Sequence, residues 1–404
     1  MLAPERRSRA DLVVAAGIAL AVLVAFTVVW LRSDARNTIS VTAAAPPPAL
    51  ATAQAVPQTL SPAWESPSSA TTAPLSAGSA VVTAEGGDVV GHDAVSGAEL
   101  WRYHRNLALC GVTAAWEKIV AVYRDDRGCS QVTELDGGTG RRLAERTSDA
   151  DPEVTVKSDG TYVSSLGDSR LELWRSDLVR TVEYGRVDAP VNPGKQPRSG
   201  CELVDADSSS SRLSVLERCP GEVADRLTVM NPSPKDNQEP EEYGSSVLAG
   251  IDAGVEGARI LGVSGETTSV YLPEGRINGP RIGWFDGTGN ALSEYVLPVQ
   301  VSSDQATETS GSVVTWWTGT DVVTLGASDL APRWTFPGAL GPGAVMAGNL
   351  LVPVDSGIAV LDLSSGALVR TIPVARDSES GPITTTVAGE IVLEQHGDRV
   401  VALS

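Results

Sequence analysis

Beyond the N-terminus the chain is built from short apolar, β-branched runs such as Lys118-Ile119-Val120-Ala121-Val122-Tyr123, and almost nowhere repeats its apolar residues every 3.6 positions. Such runs, separated by Gly, Asp, Ser and Thr, predict strands and turns rather than helices. Three stretches repeat one hairpin signal: Gly91 to Trp101 (GHDAVSGAELW), Glu134 to Gly140 (ELDGGTG) and Val360 to Val369 (VLDLSSGALV). Each is a strand, then Asp-x-x-(Ser/Thr)-Gly, then a second strand. The carboxylates of Asp93, Asp136 and Asp362 can accept turn N–H bonds, and Gly97, Gly140 and Gly366 can take the positive φ that closes the turn. Weaker copies pass through Trp174, Asp286 and Leu325, and Asp93 to Asp136 spans 43 residues. That period suits a four-stranded blade, and units unable to bury their faces alone must stack.

The pattern Asp-x-x-(Ser/Thr)-Gly-x-x-x-Trp resembles the repeat of the pyrroloquinoline-quinone-type β-propellers. Only the copy ending at Trp101 is complete; Ala144 and Arg370 stand where the other two would carry Trp. The resemblance covers about residues 60–404 as architecture. It implies an all-β, eight-bladed propeller, with seven blades as the alternative. The family includes quinoprotein dehydrogenases and a cofactor-free scaffold of outer-membrane barrel assembly. Aligned on the first motif, the eighth blade stops at Ser404 without an outer strand, and Leu60 to Glu65 resembles Leu100 to Arg102. Residues 59–66 are therefore expected to complete the last blade and protect its edge.

The one strong helical signal is Leu12 to Leu31, twenty uninterrupted apolar or small residues, long enough to cross the ~30 Å hydrocarbon core of a bilayer. Arg6, Arg7 and Arg9 precede it, which favours a cytoplasmic tail of residues 1–11 and an extracytoplasmic propeller, a single-pass protein of the cell membrane. A cleaved signal sequence is the competing reading, with Ala43-Ala44-Ala45 as the nearest small-residue site. Residues 37–64 carry no charge and are rich in Ala, Pro, Thr and Ser, so residues 32–58 read as a disordered stalk. Asn231 to Tyr243, acidic and proline-rich, reads as a mobile loop.

Four cysteines share a duplicated spacing, Cys110 to Cys129 and Cys201 to Cys219. Of three formal pairings the local one fits hairpin geometry, and two disulfides suit the oxidising side of a membrane. Zinc is the alternative, though there is no Cys-x-x-Cys and His92, His104 and His396 do not cluster with the cysteines. The formal charge is −19; residues 1–36 hold five arginines against Glu5, Asp11 and Asp34, leaving −21 for the remainder. Nucleic acid is a poor partner for such a surface.

No catalytic constellation emerges. Gly262-Val263-Ser264-Gly265-Glu266 fails as a nucleophile elbow. Asp205 to Ser210 resembles a calcium loop but lacks its glycine, with Leu216 in place of the terminal acid. The adjacent-cysteine platform that the family resemblance implies for quinone binding is missing, so no cofactor and no enzymatic activity are expected. Trp316-Trp317 differs from the repeat tryptophans: adjacent strand residues face opposite ways, making the pair a candidate exposed aromatic site. The sequence thus reads as a non-enzymatic interaction or scaffolding module of the envelope with a protein partner. The alternatives are a quinone-dependent or other small-ligand oxidoreductase using the axial funnel, and a glycan-binding or sensor ectodomain.

Overall fold

The structure, a computed structural model, describes residues 8–248, 257–275, 279–299, 301–376 and 381–404. Most of the proposed cytoplasmic tail, residues 1–7, lies outside them. Helix α1 (Arg9–Arg32) is 24 residues, capped by Ser8 and Asp11, and by length and composition can cross a membrane. A single residue, Ser33, separates it from a one-turn helix, α2 (Asp34–Asn37), and two strands follow, β1 (Ile39–Val41) and β2 (Pro62–Pro67).

Eight antiparallel sheets make up the rest, each running from an inner strand to an outer one by short hairpins. Blade 1 covers Leu75–His104, blade 2 Leu109–Thr147, blade 3 Thr155–Gly185, blade 4 Glu202–Val247, blade 5 Arg259–Val296, blade 6 Ala306–Pro337 and blade 7 Ala344–Pro373. Blade 8 takes three strands from Ile383–Leu403 and its outer strand from β2, which pairs antiparallel with Arg399–Leu403. The chain is an eight-bladed β-propeller.

The repeat chemistry explains how blades join. In the Asp93 turn, Oδ1 accepts from Ser96 N–H at 2.8 Å and Ser96 hydroxyl at 2.7 Å, and the same arrangement recurs at Asp136 with Thr139 and at Asp362 with Ser365. Gly97, Gly140 and Gly366 all have φ near +70°. A Cβ at any of the three would come within 2.5 Å of an indole ring, Trp64, Trp101 or Trp334 respectively, each from the outer strand of the preceding blade. Those indoles donate to turn carbonyls of the next blade: Trp64 to Ala94 (3.1 Å), Trp101 to Gly137 (3.0 Å) and Trp334 to Leu363 (3.1 Å). The motif is a clasp between neighbours, and glycine is needed both for the turn and for the ring lying on it. Apolar clusters between consecutive blades complete the core.

Two disulfides are formed. Cys201 and Cys219 flank the paired ends of strands Glu202–Ser208 and Leu213–Arg218, their Cα atoms 4.3 Å apart. Cys110 and Cys129 stand 6.0 Å apart on the first and third strands of blade 2, bridging across the end of the strand between them.

Residues 39–60 correct the expectation of a disordered stalk. β1 adds to the outer edge of blade 1, pairing Ile39–Val41 with Arg102–His104. Ala43 N–H then donates to Thr139 O (3.0 Å), and Ala53, Val56 and Leu60 sink into a cluster with Leu351, Ile358, Ile372 and Leu403. Arg370, at a position where the motif would carry Trp, donates to the carbonyls of Val56, Pro57 and Gln58. The segment is too poor in apolar mass to order itself, but small residues and proline-stiffened backbone lie flat where blades offer donors and pockets. The Asn231–Tyr243 insertion is likewise laid down. Asn237 O accepts from Glu183 N–H (2.7 Å), covering the edge of blade 3, and the side chain of Gln238 reaches the Glu183 carboxylate at 2.9 Å.

Candidate functional site

Two regions offer chemistry, the axial channel and the outer rim. The channel, about 510 Å³, is lined by inner strands of blades 1 to 6 and 8. Its wall is rich in hydroxyls, Thr113, Thr155, Thr307, Thr309, Thr384 and Thr386 among them, because the inner strands expose polar residues to the axis while apolar ones pack between blades. Lys157 of blade 3 reaches Asp205 of blade 4 at 2.7 Å, and Asp205 also accepts from Ile260 N–H of blade 5 at 3.0 Å. Burial opposes charge on Lys157, yet the Asp205 carboxylate outweighs it and holds the ammonium above its usual range. The stretch that resembles a calcium loop is in fact this inner strand of blade 4.

Two acids in the channel are perturbed the other way. Burial pushes Asp207 up to about 6, with Lys157 opposing, and pushes Glu308 up to about 7. Water reaches both through the channel, but blades surround them. Among the described residues the Glu308 carboxylate has neither a hydrogen-bond nor an ion-pair partner, while its backbone carbonyl accepts from Thr315. Motif reading missed these groups, because each blade contributes one; the only linear sign is an acid within the threonine-rich inner strand Ala306–Ser310.

Glu308 gives a pH test. Its folded-state pKa lies above the unfolded value, so the unfolded chain ionises first and stability falls as pH rises from about 4.5 to about 7. Glu308→Gln, which cannot ionise, should match the parent at pH 4 and exceed it by about 1–2 kcal/mol at pH 8, allowing for water in the channel. Denaturant titrations at the two pH values measure this; a less stable variant at pH 8 would mean the carboxylate is held ionised.

A second buried network lies between blades 2, 3 and 4. Glu172, 4 % exposed, receives Arg170 (2.8 Å), Arg180 (2.9 Å), the Ser148 hydroxyl and the Trp174 indole N–H. Burial alone would raise its pKa, but Arg146, Arg180 and Arg170 bring it down to about 2. Every oxygen is engaged, so the group serves structure. His92 is also structural, held between Thr83 and Gly97 O and stacked on Trp64.

Trp316 and Trp317 are not exposed. Trp316, 0 % accessible, packs on Tyr271 of blade 5 with its indole N–H on Gln305, and Trp317, 6 % accessible, donates to Ala339 O on the way to blade 7. A blade's second strand has a neighbouring blade on each face, so opposite-facing rings are both covered.

The exposed apolar groups are on the rim. The outer strand of blade 5, Ala291–Val296, is exposed at every residue, with Leu292 at 60 % and Val296 at 69 %. Leu297 N–H donates to Pro280 O, so by ladder alternation Val296 turns its N–H to the free side. Most of the other outer edges are protected among the described residues. Blade 1 is extended by β1, blade 3 is covered by the Asn237 insertion, and the outer strand of blade 4, Glu242–Val247, is only partly exposed. Blades 6, 7 and 8 carry prolines at Pro332, Pro337, Pro373, Pro62 and Pro67, and blade 2 carries Arg142, Glu145 and Arg146. Blade 5 has no proline in its outer strand, and its single charge, Glu294, is paired with the buried Arg281 at 3.0 Å.

The fold defines the class, an eight-bladed β-propeller. Among solved structures the chain is similar to BamB from Moraxella catarrhalis (13 % identity, 86 % of this chain and 100 % of that one, TM-score 0.53). It is also similar to Sqt1 from Saccharomyces cerevisiae (12 %, 86 % and 99 %, 0.52) and to a quinohemoprotein alcohol dehydrogenase from Pseudomonas putida HK5 (11 %, 85 % and 76 %, 0.52). No protein-family model and no curated protein matches the chain. Likeness at this identity is likeness of fold.

Proposed function

We propose that the chain is a membrane-tethered propeller on the extracytoplasmic side that acts by binding a protein, taking an extended segment of its partner as a fifth strand on blade 5. The open edge Ala291–Val296 carries this reading: it has no proline and, among the described residues, no segment laid along it, it is exposed at every residue, and it presents Leu292, Tyr295 and Val296 beside a backbone N–H turned to the free side. The molecule already uses this mode on itself, since β1 occupies the equivalent edge of blade 1. The two disulfides and the apolar helix favour an oxidising compartment and an anchor.

The test is affinity purification of the intact protein from detergent-solubilised membranes, parent against Val296→Pro, with mass spectrometry. Proline there removes an outward N–H while leaving the ladder to Arg281–Phe285 intact. A partner retained by the parent and reduced at least tenfold by the variant, at an unchanged melting temperature, is the expected result. Equal recovery places the interaction elsewhere.

A second reading rests on Glu308. A carboxylate without an ion-pair partner among the described residues, in a hydroxyl-lined channel, suits a small polyamine cation, and calorimetric titration of spermidine into parent and Glu308→Gln protein distinguishes it from the first.

A further inference from the structure

We propose that the propeller stands on its rim, with the outer edge of blade 1 seated in the lipid headgroup layer and blade 5 pointing away from the bilayer. This rests on the membrane anchor of the proposed function. The argument starts from how little chain separates helix from blade. Between Arg32 at the end of α1 and Ile39 at the start of β1 lie six residues, four of them wound into α2. Fully extended they would span about 20 Å, and winding four of them into a helical turn shortens that to about 13 Å.

The junction is also braced. Asp34 pairs with Arg105 at 2.5 Å, Arg105 lies over the ring of Tyr123, and the Arg36 guanidinium sits 5.0 Å from the Trp30 ring centroid at the helix end. Thr38 N–H donates to Asp34 O, so the turn leads directly into β1. A helix that ends at the hydrocarbon boundary therefore keeps β1 within about 13 Å of it, close against the interfacial layer of about 5–8 Å on each side of the hydrocarbon.

What β1 presents there matches that layer. Ile39 and Val41 point to the same face of this outermost strand and are 52 % and 53 % exposed. Their cross-strand neighbours are His104 and Arg102, and Arg102 is held by Asp88 and Glu99, so the face combines apolar tips with compensated polar heads. Apolar side chains beside an arginine on the neighbouring strand suit the headgroup boundary. In a ring of eight, blade 5 is diametrically opposite blade 1. Its open edge is then the part of the molecule furthest from the lipid, where a partner in the extracytoplasmic space meets it unobstructed.

The experiment places full-length protein in phosphatidylcholine nanodiscs with single added cysteines carrying a bimane fluorophore, at Val22→Cys, Ile39→Cys, Val41→Cys and Leu292→Cys. Lipids with a quencher at the headgroup or deep in the acyl chain report depth. Expected is acyl-chain quenching at Val22, and headgroup quenching at Ile39 and Val41 at least threefold above that at Leu292. Quenching at Val22 with none at Ile39 and Val41 overturns the rim-down orientation and leaves the anchor standing. No quenching at Val22 overturns the anchor and the orientation together. Headgroup quenching at Leu292 matching that at Val41 overturns the orientation even if β1 touches lipid.

Discussion

Residues 68–404 alone should fail to form a stable monomer, whereas residues 38–404 should fold and elute as one. The shorter chain lacks β2, leaving Arg399–Leu403 as an uncovered edge, and lacks Trp64, the clasp that joins blade 8 to the Gly97 turn of blade 1. It also loses Val56 and Leu60 from the cluster beneath blades 7 and 8. Burial of a valine or leucine is worth about 1.5–3 kcal/mol each and a large aromatic at least as much, so the total is on the order of 5 kcal/mol, comparable with the stability of a whole domain. An open edge in addition templates association. Size-exclusion chromatography and thermal melts of both fragments decide it, with a peptide of residues 59–67 added to the shorter one expected to restore part of the loss. Equal melting and elution would show that the ring closes without its N-terminal strand.

Glu172→Gln should cost about 3–5 kcal/mol, the usual penalty for stranding buried charge. Three guanidiniums, from Arg146, Arg170 and Arg180, would remain around a neutral amide with Glu183 as their chief counter-charge. The pH dependence separates this from simple loss of packing. With a folded pKa of about 2 the carboxylate contributes stability that is present above the unfolded value of about 4.5 and is lost as pH falls through about 2. The parent should therefore weaken by about 3 kcal/mol more than the variant between pH 5 and pH 2, and parallel curves would refute the assignment.

The eight-bladed architecture was legible because its signals are local. An Asp carboxylate capping two turn donors and a glycine at φ near +70° need only a few adjacent residues, and the period of two declares the strands on either side. What could not be read depends on which blade lies next door. Thr38 to Leu60 looks unable to order because its own composition is thin; its partners, Arg102–His104, Thr139 and Arg370, are supplied by blades far along the chain. Trp316 and Trp317 face opposite ways, as the strand requires, but a covered face and an exposed one look alike in sequence. Asp207 and Glu308 come from blades 4 and 6 and meet the channel only after the ring closes. The exposed run Ala291–Val296 is likewise notable only by comparison with the defences on other outer edges.

The bond between Ser61 and Ser404 joins residues 343 apart, and this sets an order of events during biogenesis. β2 is made before any blade, yet its partner strand is made only after all the others. Until the intervening chain is made, β2 has no partner strand, and under the anchoring proposed above α1 would hold it near the bilayer in the meantime. Closing the last blade is then a late step whose loop-closure cost would be large for a free chain, and such a tether would shorten the search. Pro62 and Pro67 at the ends of β2 then have a second use, discouraging the idle strand from pairing with the wrong edge in the interval.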